Sequence, residues 1–369
     1  MQSKIRKLIS ELDSEFIERQ DITRGLAIAA LVGEHAFLLG PPGTGKSKLS
    51  RAFCQRIGGQ WYEWLLTRFT TPEELFGPVD LASMKTGSHR RITKGKVPEA
   101  DVAFLDEAWK GSSAILNALL SVTNERIYHN NGAPQKCPLR TCLTASNELP
   151  DQDDDSLKAL YDRIMFRFVV GPLSDPGLVW LINRPRGKRS VPAVVITIAE
   201  LETAQDEIEA VTLPAGLGET FADIRSKLRQ ENIEPSGRRL DNAVKLLQAS
   251  AWLDNRTQVE AEDLEVLIHV LWDEPSQIPA VKRIVLQAAD PNWQKALELF
   301  EAAEKVAAEA FNAADGGDKI TIGAEAGSKV KIAIEELGKL GKSARIAELV
   351  VKTQELQKNI IRRCFGMTA

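Results

Sequence analysis

Residues 36–47 read AFLLGPPGTGKS, and this stretch decides the fold. Ala36 to Leu39 is a short apolar run typical of a buried strand, and Lys48 to Ile57 continues as a helix. The loop between them fits the pattern G-x-x-x-x-G-K-[ST]. Strand, glycine-rich loop and helix, in this order, form the unit that cradles nucleotide phosphates.

The residue types in this loop match the chemistry of a bound triphosphate. Glycines let backbone N–H groups close around the phosphates, the lysine reaches the β- and γ-phosphates, and the serine hydroxyl ligates magnesium. The positive end of the following helix adds to the anion site. We therefore predict that ATP or ADP is held by these residues: Gly40, Pro41, Pro42, Gly43, Thr44, Gly45, Lys46, Ser47 and Lys48.

A second apolar run, Val102 to Leu105, ends in the carboxylates Asp106 and Glu107. The carboxyl end of a parallel strand faces the ligand crevice. We expect Asp106, together with Ser47, to hold Mg²⁺, and Glu107 to act as the general base on the attacking water. Apolar strands often end in solvated acids, so the prediction depends on the phosphate loop upstream.

Further apolar runs at Leu139 to Thr144 and Met165 to Val170 alternate with helical patterns such as Ser113 to Val122. This alternation predicts an α/β fold in which helices cover both faces of a parallel sheet. Pro172 to Pro192 has the composition of a linker. We predict three domains, listed by residue number: an α/β nucleotide-binding core at 1–185, an all-α lid at 186–280 and a C-terminal helical hairpin or bundle at 281–369. The hairpin would have a short tip at 313–328, with a strand-like piece at Lys319 to Ile322.

Bulk composition excludes several classes. With 43% hydrophobic and 27% charged residues, the chain is an ordinary globular protein. The net charge of -4 argues against a dedicated nucleic-acid binder. Since no apolar run approaches the roughly 20 residues that span a bilayer, and acids occur early in the N-terminal helix, we expect no membrane insertion and a cytoplasmic location. The four cysteines form no C-x-x-C pair, which favours free thiols.

The motifs together resemble the AAA+ superfamily and, more narrowly, the MoxR group, with the RavA subfamily as the nearest likeness. The resemblance covers roughly residues 5–275. It rests on these segments: FLLGPPGTGKS, LLTRFTTPEELFGP, VAFLDEAWKGSSAILNALLSVTNER, TASNELP, LKALYDRIMFR and SGRRLDNAVKLLQASA. The C-terminal region departs from RavA-like proteins, because only about 15 residues stand where they insert a β-rich domain.

The resemblance implies roles for further residues. Asn147 falls where the family keeps a polar sensor that orients the water. Arg163 matches the arginine finger, which reaches the γ-phosphate of a neighbouring subunit, and Arg167 shares that role if its segment is helical. Arg238 matches the second sensor on the lid, with the adjacent Arg239 as the other candidate. Ile17 to Arg19 and Ile22 fall where the family packs the adenine, although plain helix packing explains them equally well.

Two hairpin inserts are implied, at Val79 to Pro98 and Glu125 to Leu139. The first is basic and has no acid between Lys85 and Pro98, so it would face either an acidic peptide or a nucleic-acid backbone. A solvated hairpin is the plainer interpretation. Without interleaved aromatic residues, base stacking is not indicated.

The sequence thus predicts a MoxR-type ATPase that converts ATP and water to ADP and phosphate. The resemblance implies a homo-oligomeric ring, a hexamer, that acts as a chaperone-like motor on a client protein and has a von Willebrand A domain partner. The alternatives are a nucleic-acid-dependent motor, a chelatase-like or activase-like subunit, and a nucleotide-gated scaffold without hydrolysis. Nothing in the sequence names the client.

Overall fold

The computed structural model describes residues 1–151, 153–184, 192–290, 292–312, 317–340 and 344–365. It divides into two compact units, Met1–Val281 and Lys282–Ala369. The predicted boundary between core and lid, at residues 185 and 186, lies outside the described residues. Within the described residues, no helix is both long and apolar enough to cross a bilayer.

A five-stranded parallel sheet forms the centre of the first unit, in the order β2-β3-β6-β1-β7. The strands of the chain are β1 (Ala36–Leu39), β2 (Trp61–Leu65), β3 (Val102–Asp106), β4 (Ile127–Asn130), β5 (Ala133–Lys136), β6 (Thr141–Ser146) and β7 (Phe166–Val169). β1 and β6 are buried along their whole length, as expected for inner strands covered on both faces. The predicted α/β class is confirmed.

Helices surround the sheet and build the lid. Those of the first unit are α1 (Gln2–Glu15), α2 (Gln20–Val32), α3 (Lys46–Cys54), α4 (Pro72–Phe76), α5 (Leu81–Met84), α6 (Ser113–Leu120), α7 (Asp155–Arg163), α8 (Asp175–Asn183), α9 (Ile198–Glu209), α10 (Leu217–Gln230) and α11 (Gly237–Leu253). A single π-helical turn at Ser121–Glu125 follows α6, and a 3₁₀ segment at Ala261–His269 follows α11. α12 (Ile278–Ala289) begins at the end of this unit.

β2 was not predicted from the sequence. Its residues, WYEWL, are rich in the aromatic side chains that favour strands. Only Tyr62 is fully buried, because β2 is an edge strand that pairs with β3 alone. The weak alternation of burial explains why the apolar pattern did not reveal it.

The two inserts differ from each other. The second contains the antiparallel hairpin β4–β5. The first is not a regular hairpin: it holds the short helix α5 and a single bridge between Val79 and Arg91. Asn130 joins the two inserts, since its side chain accepts from the Arg91 backbone N–H at 2.7 Å and donates to the Arg91 carbonyl at 3.0 Å.

Over its described residues, the second unit has three long helices after α12 rather than the two of a hairpin. They are α13 (Trp293–Phe311), α14 (Gly317–Lys339) and α15 (Ala344–Phe365). The predicted tip at 313–328 is therefore wrong over residues 317–328, where α14 has already begun, and residues 313–316 lie outside the described residues. The strand-like piece at Lys319 to Ile322 is helical. The reason is packing: Ala326, Val330, Ala333 and Leu337 recur at helical spacing and are buried, which overrides the β-branched run.

Candidate active site

The phosphate loop leaves β1 at Gly40 and enters α3 at Lys46, as the sequence predicts. Gly43 and Gly45 have φ angles of 84° and 89°, where a side chain is strained, and nothing lies within 4 Å of a Cβ at either position. At Gly40 a Cβ would lie 2.2 Å from the carbonyl oxygen of Val170. The loop is thus an open cradle of backbone N–H groups at the start of a helix, which suits a phosphate chain.

Lys46 crosses the mouth of this loop. Its Nζ donates to the carbonyls of Gly40 at 2.5 Å and Pro41 at 3.0 Å, and to Asn147 Oδ1 at 2.9 Å. Burial lowers the pKa of the Lys46 ammonium, although Asp106 and Glu107 act in the opposite direction. A cation held mainly by neutral carbonyls retains a strong preference for an anionic ligand.

Ser47 and Asp106, the two residues predicted to hold Mg²⁺, contact each other. Ser47 Oγ donates to Asp106 Oδ2 at 2.6 Å, which brings a hydroxyl from α3 against a carboxylate at the end of β3. Both are hard oxygen donors of the kind that Mg²⁺ takes from proteins, alongside substrate phosphates. Among the described residues, no cluster of three or more His, Cys, Asp or Glu side chains could hold a metal ion. The donor set fits a magnesium ion that is bound mostly through phosphate and water.

Glu107 lies directly beyond β3 in a left-handed conformation, with φ of 52°. Such a backbone is strained for glutamate and is typical of functional positions. Its Oε1 accepts from Asn147 Nδ2 at 2.8 Å, and its Oε2 lies 3.0 Å from Lys110 Nζ. Lys110 was not predicted; its position three residues after Glu107 is the only signal in the sequence.

Asn147 connects the two halves of this arrangement. Its amide oxygen faces the Lys46 ammonium and its amide nitrogen faces the Glu107 carboxylate, so the chemistry of the partners fixes its orientation. The strand register explains the meeting point: Asp106 aligns with Ala145 of β6, and Leu39 of β1 aligns with Ser146. The carboxyl ends of three adjacent strands therefore meet at one edge.

The predicted arginines occupy different environments. Arg163 ends α7 and donates to the Ala159 carbonyl at 2.7 Å. Burial lowers the pKa of the Arg163 guanidinium, and nearby Arg238 lowers it further. Arg238 is exposed. The charge of the lid residue Arg238 thus acts on Arg163 at the end of α7.

The expectation that Arg167 could share the role of the arginine finger is wrong. Arg167 was a second candidate for the finger only if its segment was helical, but it lies on β7 and its side chain is fully buried. It donates to the carbonyls of Trp272 and Tyr161 at 2.5 and 2.8 Å and pairs with Asp273. A guanidinium so enclosed by its own chain cannot reach a neighbouring molecule.

Arg239 is also buried, in contrast to Arg238. Its NH2 lies 2.9 Å from Asp273 Oδ1 and 3.1 Å from Asp162 Oδ1. Burial raises the pKa of Asp273, but Arg239 and Arg167 more than offset this effect and hold the pKa below its usual value. Arg239 therefore ties the lid to the end of α7, one residue before Arg163.

A cleft of about 310 Å³ opens beside the sheet edge. It is lined from three parts of the first unit: the start of α2 with the two residues before it, strand β7, and the lid with the start of α12. Its lining residues are Glu18, Arg19, Gln20, Asp21, Ile22, Arg167, Phe168, Val169, His269, Trp272 and Ile278. Of the residues that the family resemblance places against the adenine, Glu18, Arg19 and Ile22 line this cleft and Ile17 does not. The ammonium of Lys48, which is predicted to bind nucleotide, lies 5.8 Å from the centre of the Phe16 ring.

The sheet order, the phosphate loop and the helical lid define a P-loop nucleotide-binding module of the AAA+ class. The profile of the MoxR domain from MoxR–von Willebrand A–β-propeller ternary systems matches residues 3–203, and that of an AAA lid domain matches residues 217–285. The chain belongs to the MoxR family of AAA+ ATPases.

The chain is also similar to two proteins of known sequence and to one solved structure. One uncharacterised protein of Methanocaldococcus jannaschii is 40% identical over 300 residues, covering 81% of this chain and 78% of the relative. A second from the same organism is 35% identical over 357 residues, covering 96% and 93%. A crystal structure from Cytophaga hutchinsonii, of a protein proposed to be an ATPase, has a TM-score of 0.62 at 17% identity and covers 78% of this chain and 93% of its own. At that identity it shows the fold alone.

Proposed function

We propose that the chain hydrolyses ATP to ADP and phosphate. The observation that carries the proposal is the continuous set of contacts from Lys46 through Asn147 to Glu107, with Ser47 and Asp106 beside it. These contacts join a phosphate-binding cation, a metal pair and a carboxylate base at one edge of the sheet. Phosphoryl transfer needs this combination of positioning and charge stabilisation.

Each residue has a distinct task in the proposed reaction. Lys46 exchanges its carbonyl partners for phosphate oxygens, and Mg²⁺ held by Ser47 and Asp106 would neutralise charge on the phosphates. Glu107 accepts a proton from water as the water oxygen bonds to the γ-phosphorus and the bond to the leaving ADP oxygen breaks. Asn147 keeps the Glu107 carboxylate aimed at that water. The cleft beside β7 is within the size range of small-molecule sites and would hold the nucleoside.

We further propose that the site is completed by a second copy of the chain in a hexameric ring. Arg163 of one subunit would stabilise transition-state charge in its neighbour's site, with Arg238 as the lid sensor beside it. Exposed apolar side chains support a head-to-tail contact: Leu65 and Phe69 lie at the end of edge strand β2 and just after it, whereas Val179 and Ile182 lie on α8, which follows the other edge strand, β7. Contacts between two different faces of one subunit form a ring when the rotation between neighbours closes.

The remaining family traits complete the proposal: a cytoplasmic, RavA-like motor with a von Willebrand A domain partner that acts on a client protein. The matched domain description, which names von Willebrand A systems, supports the partner. The first insert offers exposed positive charge that suits an acidic client peptide, and a nucleic-acid backbone is the alternative ligand. Of its five cations, Arg91 pairs with Glu73, and Lys96 donates to the Glu74 carbonyl. The others are exposed: Lys85, Arg90 and Lys94.

Mixing two inactive variants tests hydrolysis and the shared site together. Glu107→Gln removes the base and keeps the finger, whereas Arg163→Ala removes the finger and keeps the base. Each alone should be nearly inactive, but about a quarter of the interfaces in a random equimolar ring combine an intact base with an intact finger. ATP turnover of the mixture should therefore recover to about a quarter of the wild-type value. A mixture no more active than its components would contradict the shared site, and stimulation of the wild type by DNA would favour the nucleic-acid motor.

A further inference from the structure

Three aromatic rings from three site-bearing elements meet in the core of the first unit. Phe37 lies on β1, which leads into the phosphate loop. Trp109 follows Glu107 by two residues, and Tyr161 precedes Arg163 by two residues. The ring centroids lie 5.0 Å (Phe37–Trp109), 5.8 Å (Phe37–Tyr161) and 5.7 Å (Trp109–Tyr161) apart, with interplanar angles of 67°, 86° and 84°. This aromatic triad therefore packs edge to face throughout, the geometry that aromatic pairs prefer.

Trp109 belongs to the hydrolytic loop. It lies in the 3₁₀ turn Ala108–Lys110, which starts at the strained backbone of Glu107. Its side chain is 7% exposed, and among the described residues its indole N–H has no hydrogen-bond partner. Ring packing alone holds the indole, so it is not anchored to the lid or to α7 by any polar contact in the described part of the chain. A shift of the Glu107 backbone must move this ring, and the ring abuts Tyr161.

Tyr161, in contrast, is anchored on the side of the lid. Its hydroxyl donates to the Asp273 carbonyl at 2.7 Å, its own carbonyl accepts from Arg167 at 2.8 Å, and the Arg167 guanidinium lies 3.8 Å from the centre of its ring. The next residue, Asp162, accepts from Arg239 of the lid. The last turn of α7 is thus held between the lid on one side and Trp109 on the other, and Arg163 is the residue that ends this turn.

We propose that Trp109 is a positioning residue that transmits the state of the hydrolytic loop to Arg163 through the edge of the Tyr161 ring. The inference rests on the proposed function and extends it. Each subunit would place Arg163 toward its neighbour's site according to the nucleotide state of its own site. Hydrolysis at one interface would therefore change the position of Arg163 at the next interface. Close-packed cores transmit such displacements because they have no free space to absorb them.

Subunit mixing separates this role from a purely local one. In a mixture of Glu107→Gln and Arg163→Ala chains, the Glu107→Gln chain contributes only Arg163 to its neighbour's site, because its own site lacks the base and does not hydrolyse ATP. Adding Trp109→Leu to that chain should lower the turnover of the mixture by about 10- to 100-fold, the loss expected when a reacting group moves by about 1 Å. Trp109→Phe in the same chain keeps an aromatic edge against Tyr161 and should retain most of the turnover.

Two results would overturn the proposal. Unchanged turnover with Trp109→Leu in the finger-donating chain would mean that Trp109 serves only its own site, and an equal loss with Trp109→Phe would mean that ring packing is not the link. ATP binding and oligomer size of the double variant are measured first. If the chain with Trp109→Leu does not fold, Trp109→Met replaces that substitution, because the flexible methionine side chain fills irregular gaps without restoring an aromatic ring. If the mixture of Glu107→Gln and Arg163→Ala chains with Trp109 intact is inactive, the proposed shared site is wrong. That outcome is therefore distinct from a failure of the proposal for Trp109.

Discussion

The carboxylate of Asp273 neutralises two arginines that the fold has removed from water, and its loss should be costly. Arg167 has no exposed side-chain surface and Arg239 has 3%, whereas Asp273 retains 37%. Removing one partner of a fully buried pair costs about 3–5 kcal/mol. The Asp273→Asn change should cost less, about 2 kcal/mol, because the carboxylate is partly solvated and Arg167 keeps two carbonyl acceptors.

Urea-induced unfolding, followed by tryptophan fluorescence, measures this difference. The matched control is Asp254→Asn, which breaks the pair with Arg24, whose members are 43% and 37% exposed. Exposed pairs contribute at most about 1 kcal/mol. Equal effects of the two substitutions on the free energy of unfolding would refute the idea that the Asp273 cluster ties the lid to α7. A loss at Asp273 confined to ATP turnover, with stability unchanged, would refute it as well.

Three further predictions address other contacts. Burial, followed by the charges of Arg126 and Lys245, lowers the pKa of His35 to about 3; because the unfolded chain binds the proton near pH 6.5, stability should fall by about 1.4 kcal/mol from this group between neutral pH and pH 5.5. A flat urea midpoint over that range would contradict it. Lys110→Ala should raise kcat by up to about fivefold at unchanged KM, because the ion pair between the exposed Lys110 and the half-buried base Glu107 must break before proton transfer; a fall in kcat, restored by Lys110→Arg, would show the opposite role. Gly40→Ala should abolish ATP binding in an equilibrium titration, since its Cβ would strike the backbone after β7, whereas Gly171→Ala, with nothing within 4 Å, should bind normally.

The sequence predicts those parts of the site that depend on local spacing. The loop from Gly40 to Ser47, the carboxylates Asp106 and Glu107, and Asn147 each lie at the end of an apolar strand, and parallel strands bring such ends together. Their meeting follows from strand pairing alone. The structure places all of them at one edge of the sheet.

Contacts between distant segments were not predictable in the same way. Arg167 has the same residue type and nearly the same position as a finger, and only its place on β7 and its pairing with Asp273, 106 residues away, show that it is structural. The aromatic triad likewise joins residues far apart in the chain. A single sequence contains no signal for such pairs, because burial and partner choice are set by tertiary packing.

The same limit explains the error in the second unit. The run Lys319 to Ile322 contains three consecutive β-branched residues, which favours a strand locally. The helical repeat of buried residues further along α14, from Ala326 to Leu337, is stronger and longer. Local propensity gave way to packing, as it commonly does.

The most direct test of the central claim is the behaviour of Glu107→Gln toward ATP. The substitution keeps the shape of the side chain and can keep the contact with Asn147, but it removes the base. ATP affinity should stay within about threefold of the wild type, whereas single-turnover hydrolysis should slow by at least about 10²-fold. Glu148→Gln, an exposed carboxylate beside Asn147, should leave both quantities unchanged. Hydrolysis by Glu107→Gln at the wild-type rate would contradict the account.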